Sequence, residues 1–335
     1  MGILVTGGAG YIGSHVASAL VERDQKVVVL DSFIHGYRDT TPGIEIIEAD
    51  ISDTVKLIEA CKRYDITEVF HFAGFKNVSD SMRRPQEYFR NNVEGLLSML
   101  DNLGKLNLQN FIFSSSCSVY GDIGQSSLVA ETTPTNPMSV YGDSKLIGEM
   151  IVNRYSELNK FRSINVRYFN VVGSDSSWLR GEDLIASGNL VPLLVRAVLS
   201  GRPAILGSDK YQTPDGTAIR DYVHISDIVS GHLSALDYLR NGGGVNVLNL
   251  GSGKGSSVKQ VVAAVSSACG LEVPHAFGER RDGDPAYVCA EISLAKDVLR
   301  WSPQFGLAES VQSSWDWFNH APFTRRESWM KQLSK

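Results

Sequence analysis

An α/β fold built on a doubly wound parallel sheet is predicted by three observations. The chain opens on an apolar run that breaks into glycines, Ile3-Leu4-Val5-Thr6-Gly7-Gly8-Ala9-Gly10-Tyr11-Ile12-Gly13, and a helical pattern (Val16, Leu20, Val21) follows. Short apolar runs then alternate with helical patterns through the first half of the chain. A second apolar run, Val27-Val28-Val29-Leu30, ends in the acid Asp31, 18 residues beyond Gly13.

The apolar runs lie near 3–6, 27–30, 44–47, 69–72 and 111–114 and are rich in Val, Ile and Phe. Short runs of that composition read as strands buried on both faces. Helical patterns separate them at about 12–23, 54–63, 86–103 and 140–158. Strands alternating with helices imply a parallel sheet covered on both sides, and such sheets bind ligands at the strands' C-terminal ends. Chemistry is therefore expected at Asp31, at Asp50-Ile51, at Phe72-Ala73-Gly74 and at Ser114-Ser115-Ser116.

The glycines specify which ligand. A strand, a tight glycine turn and a helix N-terminus together hold a dinucleotide pyrophosphate, because N–H groups approach it closely and the helix dipole favours its charge. Gly8, Gly10 and Gly13 fit a G-x-G-x-x-G spacing, and Gly7, Gly10 and Gly13 fit G-x-x-G-x-x-G. Asp31 stands where a carboxylate grips an adenosine ribose. It would repel a 2′-phosphate, and no arginine directly follows it, so NAD is expected over NADP. Residues 1–170 read as the NAD-binding Rossmann domain, to which a stretch at about 220–250 returns. After Asn170, Gly, Ser, Asp and Pro become frequent, and 171–335 reads mainly as a smaller α/β substrate-binding domain assembled from insertions.

Composition narrows the partners. A formal net charge of −5 without a long basic or acidic run argues against nucleic acid and against an anionic membrane. No apolar stretch approaches the roughly 20 residues needed to cross a bilayer. The first strand begins at once, so no signal peptide is expected ahead of it. Cys61, Cys117, Cys269 and Cys289 are scattered singly, in neither zinc nor disulfide spacing, which points to a reducing, cytoplasmic setting and to no metal. Cys117 reads as a small packed residue. Arg83-Arg84 and Arg325-Arg326 read as solvated charges without a role.

Tyr141-Gly142-Asp143-Ser144-Lys145 opens a predicted helix, and positions i and i+4 share one face. A free phenol, with a pKa of about 10, is a poor base at neutral pH. A neighbouring ammonium can lower it by roughly 1–3 units, and a cationic nicotinamide adds to that effect. The pair is thus suited to take a proton from a sugar hydroxyl, with Ser116 hydrogen-bonding the same hydroxyl.

On these residues the chain resembles the extended short-chain dehydrogenase/reductase family and, within it, the UDP-hexose 4-epimerases. The likeness runs nearly the whole length, through Val5–His15, His71-Phe72-Ala73-Gly74, Asn91-Asn92-Val93, Phe111–Ser116 and Val119-Tyr120-Gly121. It continues through Arg167-Tyr168-Phe169-Asn170, Asp215-Gly216-Thr217, Arg220–His224, Asn249-Leu250-Gly251 and Arg280–Asp284. The resemblance implies that Tyr141 removes the C4 hydroxyl proton while a hydride passes to tightly held NAD. The keto sugar then swings about its pyrophosphate, and the hydride returns to the other face.

It also assigns residues. Gly7, Gly10, Tyr11, Ile12, Gly13, Asp31, Asp50, Ile51, Phe72, Ala73, Lys76, Asn91, Ser114, Tyr141, Lys145 and Phe169 would hold NAD. Ser116, Asn170, Asn189, Leu190, Leu206, Arg220, Tyr222, Arg281, Asp284 and Val288 would hold the UDP-sugar. A homodimer joined through the helix carrying Tyr141 and its neighbour around 86–103 is implied as well. Three features depart from the pattern. The Asp31–Asp50 segment is short, Val171 stands where proline is common, and Val288 occupies the place of a bulky tyrosine. A small residue at 288 is associated with room for an N-acetyl group, although Tyr287 is its immediate neighbour. A sugar-nucleotide 4,6-dehydratase and an epimerase specific for UDP-N-acetylglucosamine remain alternatives, as does a non-catalytic NAD-binding protein. A dehydratase wants an Asp-Glu pair where Cys117-Ser118 stand, and a pure binder has no need of Ser116, Tyr141 and Lys145 together.

Overall fold

A computed structural model describes residues 1–122, 124, 128–280 and 285–334. Seven parallel strands form the main sheet: β1 (Gly2–Thr6), β2 (Val27–Asp31), β3 (Glu45–Glu48), β4 (Ile66–His71), β5 (Asn110–Ser116), β6 (Arg162–Tyr168) and β7 (Val247–Leu250). Their spatial order is β7-β6-β5-β4-β1-β2-β3. The order reverses at β1, and the crevice between the ends of β1 and β4 is where a doubly wound sheet takes its ligand.

Side-chain alternation builds two cores. Ile3 and Val5 of β1 face the Tyr11–Glu22 and Ile225–Arg240 helices, together with Val16, Leu20, Leu236 and Trp301. Leu4, between them, points to the other side, where Leu57, Leu96, Met99 and Val152 pack. A third core, around Leu194, Val261, Val311, Trp317 and Trp329, sits under the Leu190–Ser200, Val258–Cys269 and Leu307–His320 helices. Beyond the main sheet, Ile219–His224 pairs with Gly255–Ser257, Tyr287–Ala290 and Asn170–Val172, while Ala204–Leu206 pairs with His275–Phe277. None of the helices among the described residues is long and apolar enough to cross a membrane.

Three expectations need correction. The third strand is not buried; it forms the sheet edge, with Glu45 and Glu48 exposed. The helix read over 86–103 is interrupted: Pro85–Phe89 and Gly95–Leu103 are joined by a π-helical turn, Arg90–Glu94. Such widened turns tend to mark functional sites. Arg325 is no solvated charge. It is buried, its guanidinium lies 4.1 Å from the Tyr37 ring centroid, and it pairs with Asp39.

His15, His71, His224 and His232 are buried, and burial lowers all four pKa values, to about 3 for His71 and about 4 for His224 and His232. Unfolding restores the ordinary value near 6.5, so the unfolded chain binds more protons below it. Stability present above pH 6.5 is therefore lost as the pH falls toward 4. The thermal midpoint followed by circular dichroism should decline steadily from pH 7 to pH 5; a flat or rising midpoint would contradict this assignment.

Candidate active site

The site begins where β1 ends. Gly7 has φ +66°, and a Cβ there would lie 2.6 Å from the Ala73 nitrogen, because Phe72-Ala73 crosses directly over the turn. Gly10 is the N-cap of the Tyr11–Glu22 helix; no side chain caps it and no acid occupies its first turn. Its first N–H groups are thus free to meet an anion. Ile12 packs against the neighbouring core, and Tyr11 donates its hydroxyl to the Gly173 carbonyl at 2.6 Å. Asp31, 7% exposed at the end of β2, accepts from Ala9 N (2.9 Å) and Phe33 N (2.8 Å), which fixes its carboxylate at the rim of the loop.

Further along the rim, Asp50 accepts from Ser52, and buried Ile51 packs against Gly95. Within the π turn the two asparagines divide their work. Asn92 accepts from Phe75 N (2.8 Å) and donates to Phe75 O and Ser144 Oγ (3.0 Å each). Asn91 Oδ1 is buried without a protein hydrogen-bond partner. A buried unpaired acceptor costs about 1–3 kcal/mol, so a ligand donor at that point would be stabilising.

Ser139 caps the Val140–Asn159 helix, accepting from Gly142 N at 3.1 Å, and Tyr141 and Lys145 project from its first turns. Lys145 Nζ donates to the Ser114 carbonyl at 2.7 Å and lies 6.0 Å from the Tyr141 ring centroid. Ser116, at the end of β5, lies beside the Tyr141 phenol; its hydroxyl donates to Ser118 Oγ and accepts from Ser118 N, each at 3.2 Å. The three side chains therefore converge at the C-terminal edge of the sheet. Their electrostatics differ from the simple expectation. Burial pushes the Tyr141 phenol up to about 12, opposed by the neighbouring Ser116 hydroxyl. Burial pulls Lys145 down to about 8, opposed by Glu149. The phenol therefore stays above its ordinary value in the protein alone, because burial outweighs the groups that favour its charged form. Cys117 is no nucleophile, since burial raises its thiol to about 12.

The other wall comes from the later segments. Asn189 is the N-cap of the Leu190–Ser200 helix, but its amide does not cap; it donates to Glu182 Oε1 at 2.6 Å. The same oxygen accepts from Ser187 (2.8 Å) and from Lys76 Nζ (3.2 Å), joining a lysine expected to touch cofactor to an asparagine expected to touch substrate. Asn170 Nδ2 donates to the Asp221 carbonyl (3.1 Å), and the Leu206 carbonyl accepts from Gly278 N (3.1 Å). Arg220 donates to the carbonyls of Ile219 (2.7 Å) and Pro285 (2.6 Å), and Tyr222 is buried beside it. Arg281 and Asp284 lie outside the described residues. Val288 packs with Phe169, Val119 and Cys117, whereas the Tyr287 ring lies against Gly255. The two neighbours point to opposite faces of their strand, and Val288 is the one on the Ser116–Cys117 side.

Sequence reasoning missed Glu182, Glu149 and Arg167. Each is a charged residue with a partner in a distant segment: Lys76 for Glu182, and Glu149 and Arg167 for one another. Residues 3–251 match the NAD dependent epimerase/dehydratase family. A UDP-glucose 4-epimerase of Erwinia amylovora is 41% identical, over 96% of this chain and 99% of that protein. The structure of a Stenotrophomonas maltophila UDP-glucose-4-epimerase with bound NAD and formylated UDP-arabinopyranose superposes with a TM-score of 0.89 at 35% identity, covering 95% of this chain and 97% of that one. A UDP-Glc/GlcNAc 4-epimerase of Campylobacter jejuni gives 0.81 at 33% identity, covering 94% and 98%.

Proposed function

The chain belongs to the NAD dependent epimerase/dehydratase family, and on that footing we propose that it is an NAD-dependent UDP-hexose 4-epimerase interconverting UDP-galactose and UDP-glucose. One observation carries the reading: Ser116, Tyr141 and Lys145 meet at the sheet edge beside the uncapped N-terminus of the Tyr11–Glu22 helix. That terminus, the ribose-gripping Asp31 and the unpaired Asn91 Oδ1 together suit a dinucleotide. NAD, when bound, supplies the hydride acceptor and donor for C4 and a positive ring beside the phenol.

The chain's own residues do the rest. Ser116 orients the C4 hydroxyl, and Tyr141 Oη takes its proton and later gives it back. Lys145, held protonated against the Ser114 carbonyl, favours the phenolate. The Leu190–Ser200 N-terminus, Asn189, Asn170, Leu206, Arg220 and Tyr222, with Arg281 and Asp284, hold the UDP portion. Phe169 and Val288 offer the hexose an apolar wall without directional hydrogen bonds, which suits a sugar that must turn over. The absence of an acid at Cys117-Ser118 disfavours elimination of water, and hence the dehydratase reading.

Val288 extends the reading to UDP-N-acetylhexosamines, since a valine on the Ser116 side leaves more room than a tyrosine. A homodimer is proposed through the outward faces of the Gly95–Leu103 and Val140–Asn159 helices, where Leu97, Ile147 and Met150 are exposed. We assign the activity to the cytoplasm, where the four unpaired cysteines stay reduced.

Incubated with UDP-galactose alone, the purified holoprotein should yield UDP-glucose without added cofactor. Tyr141→Phe should lower kcat on the order of 10²–10⁴ if the phenol is the general base; a loss below tenfold would remove it from that role. In a panel of UDP-glucose, UDP-galactose and their N-acetylamino forms, all four should turn over. Val288→Tyr should suppress only the acetylated pair, and no turnover of that pair by the unaltered protein would dispose of the wider specificity. Sedimentation should report a dimer that Met150→Glu dissociates, and a monomer at micromolar concentration would refute this interface.

A further inference from the structure

Glu149 follows Lys145 by one helical turn and Tyr141 by two, so the three side chains lie along one face of the Val140–Asn159 helix. Its carboxylate is buried and engaged by two strands at once. Arg167 donates Nε to Oε1 at 2.8 Å and Nη2 to Oε2 at 2.6 Å, and the Ser115 hydroxyl also donates to Oε1. The β5–β6 register sets Ser115 opposite Arg167, so one carboxylate gathers a cross-strand pair directly adjoining Ser114 and Ser116. The Arg167 guanidinium lies 4.7 Å from the Tyr120 ring centroid, and the Tyr120 hydroxyl donates to Asn249 Oδ1 at 2.7 Å. The network thus runs from β7 to the helix that bears the base.

A buried ion pair is weak as a source of stability, because desolvation consumes most of the attraction. Its location beneath Lys145 suggests a different use. We propose that Glu149 is a positioning residue, which keeps Lys145 charged and ties the Ser114–Ser116 strand end to the Tyr141 helix.

The surroundings of Lys145 support this. Tyr141 and Glu149 share its helix; His71 from β4 is buried and neutral; Phe113 and the Ser114 carbonyl come from β5; Arg167 from β6 is paired with Glu149. Burial works against the ammonium, and the Glu149 charge works for it. The inference rests on the reading that protonated Lys145 serves Tyr141 as a base.

The test is kcat against pH from 6 to 10, with UDP-galactose and the holoenzyme. Glu149→Gln retains the size and one acceptor oxygen, and replaces the other oxygen and the charge by a neutral NH2 group. It should move the alkaline limb down by about half a unit or more, with KM within about twofold and activity recovering toward pH 6.5. Arg167→Met leaves the carboxylate without its counterion and should move the limb up. Two limbs left in place, or shifted the same way, would overturn the proposal, because a purely structural role lowers the plateau of both. Should a variant not fold, Glu149→Asp keeps the charge but withdraws it, so a smaller downward shift is expected and an unmoved limb is equally decisive. An inactive Tyr141→Phe beside an unmoved Glu149→Gln limb sinks this inference alone. An active Tyr141→Phe sinks the underlying reading.

Discussion

Everything at the site depends on how closely the Val140–Asn159 helix lies against β5. A Cβ at Gly148 would sit 2.5 Å from Phe113 Cζ, and one at Gly142 would sit 2.7 Å from the Ser118 carbonyl. Neither separation is tolerable, so the helix rests nearer the strand than side chains at those positions would permit. That proximity lets Lys145 reach the backbone at Ser114 and brings Tyr141 to Ser116. Displacing a reacting group by about 1 Å can reduce a rate on the order of 10². Two glycines without chemistry of their own therefore set the geometry on which proton transfer relies.

The same closeness creates an electrostatic difficulty. Drawing a phenol and an amine out of water disfavours the charged form of each, and in this chain burial dominates both. The arrangement needs a phenolate and an ammonium, the two forms that burial opposes. Charge must be supplied from outside the pair: by a cationic ring on the ligand side and by the Glu149 carboxylate on the sheet side. Removing one member of the Glu149–Arg167 pair would strand a buried charge, a loss of about 3–5 kcal/mol for such pairs in general.

The parts of this design that follow local rules were readable in the sequence. Strand–helix alternation announces the sheet. The glycine run before Tyr11, the acid at Asp31 and the Tyr141/Lys145 spacing announce the chemistry, because each acts within a few residues of itself. The Arg90–Glu94 π turn was not readable, since an extra residue within a turn leaves the apolar rhythm of 86–103 nearly unchanged. Nor were Glu182, Glu149 and Arg325, whose partners lie 106, 18 and 286 residues away in the chain. Arg325 is the instructive case. Beside Arg326 near a polar C-terminal helix it reads as solvated, yet Tyr37 and Asp39 of the loop after β2 enclose it. That contact, with Arg180 Nε donating to the Thr40 carbonyl at 3.1 Å, latches the segment following Asp31 onto the second half of the chain.

A net charge of −5 is at first sight a poor match for two diphosphate ligands. The resolution lies in local fields rather than the total. Helices opening at Asp53, Ser139 and Ser257 are capped by their own side chains, which satisfy first-turn N–H groups internally. The Tyr11–Glu22 and Leu190–Ser200 helices are not capped, and neither carries an acid in its first turn. Each leaves roughly half a positive charge at its N-terminus. Substituting Ser or Asp at Gly10 or Asn189 would fill that role from within the chain, and in doing so would compete with phosphate for the same donors. Capping is a general stabiliser worth about 0.5–2 kcal/mol. The Ser293–Leu299 and Phe323–Leu333 helices also open without a side-chain cap or a first-turn acid, so what singles out the Tyr11–Glu22 terminus is the glycine turn before it, over which Phe72-Ala73 passes.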